Sequence, residues 1–358
     1  MRTRRTRTLT ISLAAVLLAA LGACSRAGGN DAPAGNAAPA QDNNLAAELR
    51  LGYFPNVTHA AALIGLEKGQ FSKELGTTKL TPTSFNAGPD EVTALLGDSL
   101  DAGFIGSGPA INAYAKSKGE AVRLIAGATS GGAQLVVRAD LAGPNDLAGK
   151  TVATPQLGNT QDVALKKWLA DKGLTGKVSV TNLDNAQTLD AFKKGDVQAA
   201  WLPEPWASRL VLDAGAKVLV DEKELWPSGR FPTTVLIVRT AYLREHPQTV
   251  RALLRGLVDA VDYAATNKAD AQAAVNKQLK ALTGKDLSKA VIERAWSGIE
   301  LTFDPLSGQF PRLAKDQVTA GIAKEAPNVA GYADLTALNA VLKEKGKPEV
   351  DAAGLDQK

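Results

Sequence analysis

The chain has 358 residues, 45% of them hydrophobic and 22% charged, enough for about two domains of ordinary globular composition. Arg2, Arg4, Arg5 and Arg7 carry the whole net charge of +4, so the remainder balances and a nucleic-acid-binding surface has no electrostatic footprint. One Cys, at position 24, and two His leave no disulfide framework, zinc–thiolate centre or iron–sulfur cluster to expect.

Residues 1–7 are a basic head and residues 9–21 (LTISLAAVLLAAL) an apolar run, the proportions of a secretory signal and short for a membrane span. Leu21-Gly22-Ala23-Cys24 follows and resembles a bacterial lipobox, in which the Cys becomes a lipidated N-terminus. The plainer reading is a signal peptide with an incidental Cys. Acyl chains on Cys24 would anchor the protein stably on the extracytoplasmic face of a membrane. Residues 25–47 are mostly Ala, Gly, Pro, Asn and Asp, too poor in large apolar side chains to offset their ordering entropy. The organisation expected is therefore a signal segment over 1–23, a flexible tether over 24–47, and a globular body beyond.

The body alternates short apolar runs with helical patterns. LRLGYF (49–54), LTPTSF, AGFIG and RLIAGA read as strands, separated by helices in AAALIGLEKG, PDEVTALLG and PAINAYAKSKG. QLVVR, KTVATP, VSVTNL, VQAAWL and AKVLVD continue the strands, with helices over 161–172, over 186–194 and from Pro205. Such alternation predicts an α/β fold with largely parallel sheet. TTVLIVR (233–239) reads as the final clear strand. After it, Val250, Leu253, Leu254, Leu257, Val258 and Val261 mark one helix face at i, i+3, i+4, i+7 spacing. Apolar stripes without strands must pack on a sheet built earlier. That predicts a discontinuous first lobe (48–132 and 240–358), a second lobe (133–239), two crossings and a ligand cleft between.

Ligands of open α/β sheets collect beyond the carboxyl ends of strands, where helix N-termini present free N–H groups. The strand-to-helix junctions here carry Asn56, Thr58 and His59; Asn86 and Gly88; Ser107; Ser130 and Gly131; Gln156, Asn159 and Thr160; and Glu204 and Trp206. Each alone is ordinary turn chemistry. Together they put neutral donors on both sides of a cleft, which suits a small oxyanion held by dipoles. His59 either donates to that anion or serves as a cap. Glu204, between two prolines, either latches the lobes or meets a ligand amine, while Trp206 and Phe54 are placed to wall an organic tail. Arg209 and Arg230 are the candidate counter-charges. A roomy cleft walled by Trp206 would favour organosulfonates and a small closed one inorganic ions.

Enzyme signatures fail. Gly143 to Thr151 has five residues between its glycines where a P-loop needs four, and it precedes a strand. No Gly-x-Ser-x-Gly elbow and no His pair with metal spacing occur. No catalytic residue, metal or cofactor is expected.

The runs GYFPNVTHAAALIGLEKGQF, FNAGPDEVTALLGDSLDAGFIGSGPAINAY, AGATSGGAQLVVR, LAGKTVATPQLGNTQDVALKKWL and AAWLPEPWASRL resemble, in order and spacing, the substrate-binding proteins of ABC importers. The aliphatic sulfonate, taurine and nitrate group is the most similar, over roughly residues 48–310. The resemblance implies a type II periplasmic-binding-protein fold, with lobes that close on a ligand and dock on a membrane permease. It also implies ligand contacts at Asn56, Thr58, Asn86, Gly88, Ser107, Ser130, Gly131, Gln156, Asn159, Thr160 and Glu204. The function expected is a monomeric, lipid-anchored binding protein for a small sulfonate-like anion. Taurine, nitrate or bicarbonate in the same role are the alternatives, and a lipoprotein sensor or an enzyme the remote ones.

Overall fold

The computed structural model describes residues 45–357; the signal segment, Cys24 and the tether as far as residue 44 lie outside them. The order is β1 (Glu48–Tyr53), α1 (Ala60–Glu67), α2 (Gln70–Leu75), β2 (Lys79–Ser84), α3 (Gly88–Leu96), β3 (Ala102–Gly106), α4 (Ser107–Lys116) and β4 (Val122–Gly131). Next come β5 (Ala133–Val137), β6 (Thr151–Thr154), α5 (Thr160–Asp171), β7 (Ser179–Asn182), α6 (Asn185–Lys194), β8 (Ala199–Pro203), α7 (Trp206–Ala214) and β9 (Lys217–Asp221). The chain ends with β10 (Pro232–Arg239), α8 (Thr240–Glu245), α9 (Pro247–Thr266), α10 (Lys268–Thr283), α11 (Lys289–Ser297), β11 (Ile299–Leu301), α12 (Phe310–Thr319) and α13 (Thr336–Glu344).

Two sheets result, of order β11-β4-β10-β3-β1-β2 and β7-β6-β8-β5-β9. Their cores share one plan. β1 lies parallel between β2 and β3 in the larger sheet, as β6 lies between β7 and β8 in the smaller. Beyond β3 or β8 each sheet takes one antiparallel strand, β10 or β5, and that strand arrives directly from the other sheet. The first crossing is Gly132 alone and the second is residues 222–231.

Burial explains which strands are central. β3 (AGFIG) is buried on both faces and so is nearly all of β10 (PTTVLIVR), as strands covered on both sides require. β2 (KLTPTS) and β7 (SVTN) are polar and partly exposed, and they form edges. β10 corrects the expected boundary: assigned to the second lobe through residue 239, it pairs with β3 and β4 of the larger sheet. A strand buried on both faces looks the same in either sheet, so its membership depends on pairing alone.

In α9 the six apolar residues of the expected stripe are all buried, each contributing roughly 1.5–3 kcal/mol. α9 packs on α1 and α2 beside the larger sheet, and α13 packs on α9 and β4. Two features of the tail were not expected. β11 adds a three-residue antiparallel strand to the edge of β4, and α11 and α12 also reach the smaller sheet's helices α7 and α5.

Candidate functional site

Five strand-to-helix turns meet between the two sheets. From the larger sheet come the loop after β1, the turn between β2 and α3, and the start of α4; from the smaller come the starts of α5 and α6. They enclose a cage lined by Phe54, Asn56 and Thr58, by Asn86 and Gly106, and by Asn159, Thr160 and Gln161. Asn185, Pro203, Thr233 and Thr234 complete it. None of these residues is charged. The lining is carboxamide and hydroxyl, with one aromatic ring and few other apolar groups. Its free space is about 20 Å³, room for about one water.

Local sequence explains why donors are free there. The N-cap of α4 is Gly106, which has no side chain to cap with, and the Asn159 side chain at the start of α5 makes no capping bond. The start of α5 therefore keeps amide donors available, while at α4, where Pro109 has no N–H and Thr160 takes the Gly108 N–H, only the Ser107 N–H is left. The two helix starts face one another closely enough for the Gly108 N–H to donate to Thr160 Oγ1 at 3.2 Å. Two helix N-termini carry like partial charges, each equivalent to roughly half a unit. An anion between them relieves that repulsion. Thr234 Oγ1, Ser107 Oγ and Asn185 Oδ1 are buried and find no partner in the protein. Burying such groups unpaired costs about 1–3 kcal/mol each, which a ligand or trapped water offsets.

Of the predicted residues, Asn56, Thr58, Asn86, Asn159 and Thr160 line the cage. Ser107 keeps its hydroxyl unpaired at the start of α4, and the remaining predicted residues brace the cage. His59 is buried and its Nδ1 accepts the Phe54 N–H at 3.2 Å while its ring packs on Phe54 at 4.4 Å between centroids. Burial pulls its pKa down to about 3, so the ring is neutral at physiological pH and brings no positive charge. Gly88 opens α3 against Pro109. Ser130 Oγ accepts the Phe231 N–H, and the Gly131 carbonyl accepts the Thr233 hydroxyl, tying the ends of β4 and β10 together. Gln156 reaches across the seam, its Nε2 donating to Asp90 Oδ2 at 2.9 Å.

Glu204 and Trp206 take specific partners. The Glu204 carboxylate accepts from the Ser208 N–H at 3.0 Å and from Arg294 Nη1 at 3.1 Å, the latch arrangement. Trp206 Nε1 donates to Asn56 Oδ1 at 2.9 Å, and its ring walls a neighbouring pocket. Arg209 lies over that ring at 4.9 Å, and Arg230 pairs with Glu300 at 2.9 Å. Both guanidiniums are thus engaged away from the cage lining. Sequence reading missed Asn185, Thr233 and Thr234. Asn185 follows β7 at a junction of the same kind as the others. The two threonines begin an antiparallel strand, whose start lies at the ligand edge only because of the topology.

Among the described residues no cluster of His, Cys, Asp and Glu could hold a metal ion, and no helix is long and apolar enough to cross a membrane.

Residues 42–279 match the family described as the NMT1-like family. The taurine-binding periplasmic protein of Escherichia coli (strain K12) is 30% identical over 194 residues, 53% of this chain and 58% of that protein. The chain thus matches little more than half the length of that curated relative. The alkanesulfonate-binding protein of Xanthomonas axonopodis pv. citri, solved with MOPS bound, superposes with a TM-score of 0.66 over 79% of this chain and 96% of that one, at 23% identity. The periplasmic nitrate-binding protein of Synechocystis PCC 6803 gives 0.69 over 83% and 89%, at 16% identity. These likenesses establish the type II periplasmic-binding-protein fold.

Proposed function

The chain belongs to the NMT1-like family, and from that premise we propose that it is the extracytoplasmic solute-binding component of an ABC importer, taking up a small sulfonate-like anion. The carrying observation is the uncharged cage between two sheets, with uncapped helix N-termini facing each other across it. The two sheets are the cores of lobes that part to admit the anion. Closure is favoured by contacts the ligand makes with the second lobe only after it has bound the first. The closed form then docks on the permease. The protein acts as a monomer, without cofactor or nucleic acid.

A thermal-shift panel on residues 25–358 tests this with alkanesulfonates, taurine, sulfate esters, nitrate, bicarbonate and sulfate. A ligand at ~100 times its Kd adds roughly 2.7 kcal/mol, a shift of several degrees. A rise with a sulfonate and none with nitrate is the expected result. No shift with any anion, in folded and ligand-free protein, overturns the assignment. The second reading, nitrate or bicarbonate, is favoured by the cage's small free space of about 20 Å³, and a rise confined to those ions would establish it.

Anchoring through Cys24 belongs to the same proposal. Cells fed labelled palmitate should label the wild-type chain and leave Cys24→Ser unlabelled. Equal labelling of both would remove the anchor.

A further inference from the structure

Gln161 lines the cage, and the residue after it carries a buried carboxylate that does not. Asp162 stands in the first turn of α5 and is 0% exposed. Its Oδ1 accepts the Thr154 hydroxyl at 3.0 Å and Asn182 Nδ2 at 3.1 Å. Its Oδ2 accepts the Gly158 N–H at 2.9 Å and Lys166 Nζ at 2.8 Å. We propose that Asp162 is the positioning residue of the 155–160 loop, holding the start of α5 where its amides meet the anion. This inference rests on the anion-binding reading and names the residue that sets the smaller sheet's half of that site.

The donors come from separate pieces of chain: the end of β6, the end of β7, the loop itself and the second turn of α5. A carboxylate offers about four acceptor sites, so each donor finds one. Asn182 Nδ2 extends the grip by also donating to the carbonyl of Pro155, at the start of the loop, at 2.9 Å. Gly158 donates from φ +77°, a left-handed conformation that favours glycine. Asn159 gives its own N–H to the Gln156 carbonyl at 3.0 Å. None of these bonds uses the N–H of Thr160 or Gln161, and both residues line the cage. The loop is thus fixed from behind while its donors stay free. Lys166 answers the electrostatic problem this creates. A bare carboxylate in the first turn would oppose an anion at the same helix end, and the ammonium one turn on balances it.

Hydrogen exchange of the ligand-free full chain and calorimetric titration with methanesulfonate test this on Asp162→Asn. Whichever way the new carboxamide turns, its NH2 group faces a nitrogen donor, so the loop loses part of its anchor. Amides of residues 156–161 should exchange about tenfold faster, and binding should weaken by about five- to tenfold. Asn182→Ala removes the bonds to Asp162 and Pro155 but leaves the ion pair whole, and should act the same way by about two- to threefold. Leu165 is buried in the same helix and has no part in these bonds. Leu165→Val should lower the thermal midpoint yet keep wild-type exchange over 156–161 and affinity within about twofold. Unchanged loop exchange in Asp162→Asn and Asn182→Ala overturns the positioning role, as does faster exchange with wild-type affinity. Equal weakening in Leu165→Val overturns it too, because Asp162 would then only stabilise α5. If methanesulfonate does not bind the wild-type chain, the anion reading falls, and the exchange contrast alone decides whether Asp162 holds the loop.

Discussion

Gly106→Ala is expected to weaken ligand binding by about 10- to 100-fold, equivalent to ~1.4–2.7 kcal/mol, while leaving the ligand-free protein folded and nearly as stable. The backbone at Gly106 is extended, with φ −64° and ψ 146°, so alanine adopts it without strain. A Cβ there, however, would stand 2.5 Å from Thr160 Oγ1, across the seam between the two sheets. Thr160 cannot easily turn away. It is β-branched and stiff at χ1, and its hydroxyl accepts the Gly108 N–H at 3.2 Å. On the proposed closure of the lobes, the added methyl opposes the step that would bring the α5 N-terminus onto the anion. Thr160→Ala alone gives up one hydrogen bond, ~1 kcal/mol. In Gly106→Ala/Thr160→Ala the clash is gone, so the double variant should bind more tightly than Gly106→Ala alone. Calorimetric titration of the three variants reads this directly. Wild-type affinity in Gly106→Ala would mean that the lobes do not meet at this seam when ligand binds.

The same seam shows which parts of the molecule were legible in the sequence. Elements up to β9 could be read because each signal is local: a short apolar run, a stripe at helical spacing, a Gly or Asn at the turn. Asn56, Asn159 and Thr160, which line the cage, could be singled out for that reason, since ligands of parallel sheets are expected along a row of strand-to-helix turns. Single helix breaks were harder. The helix expected over AAALIGLEKG stops at Glu67, and α2 starts after Gly69, whose φ of +69° is not helical. Long-range pairing was not legible at all. β10 joins β3 and β4 through register with residues more than a hundred positions earlier. That pairing carries Thr233 and Thr234 to the cage. Glu204 and Trp206 had plausible roles in the sequence, but those roles depend on partners 90 and 150 residues away. Proximity of that kind exists only once the fold exists.

Arg294→Met should be the most destabilising of these changes, by about 2–3 kcal/mol, with a penalty that grows from pH 5 to pH 8. Glu204 is 1% exposed, and its two oxygens depend on the Ser208 N–H and on Arg294. Arg294 also donates to Ser208 Oγ and to Gln134 Oε1, both at 2.8 Å, so its loss strips three acceptors at once. Breaking a buried ion pair from one side typically costs ~3–5 kcal/mol; the Arg294 side chain is 24% exposed, which lowers the figure here. Burial raises the Glu204 pKa above its ordinary value, while the Ser208 bonds and then the Arg294 charge pull it back down. A carboxyl with a raised folded pKa gives stability that is full below its unfolded pKa and is lost as pH rises through the folded one. Removing Arg294 raises that folded pKa further. As pH rises, less of the variant's carboxyl can stay neutral, and it must either ionise unpaired or hold a proton against a steeper gradient. The midpoint of thermal unfolding should accordingly fall by about 5 °C at neutral pH and by more at pH 8. Glu204→Gln placed on Arg294→Met removes the orphaned charge and should recover part of the loss. Equal losses at both pH values, with no recovery in the double variant, would show that Arg294 acts through packing and not through the Glu204 charge.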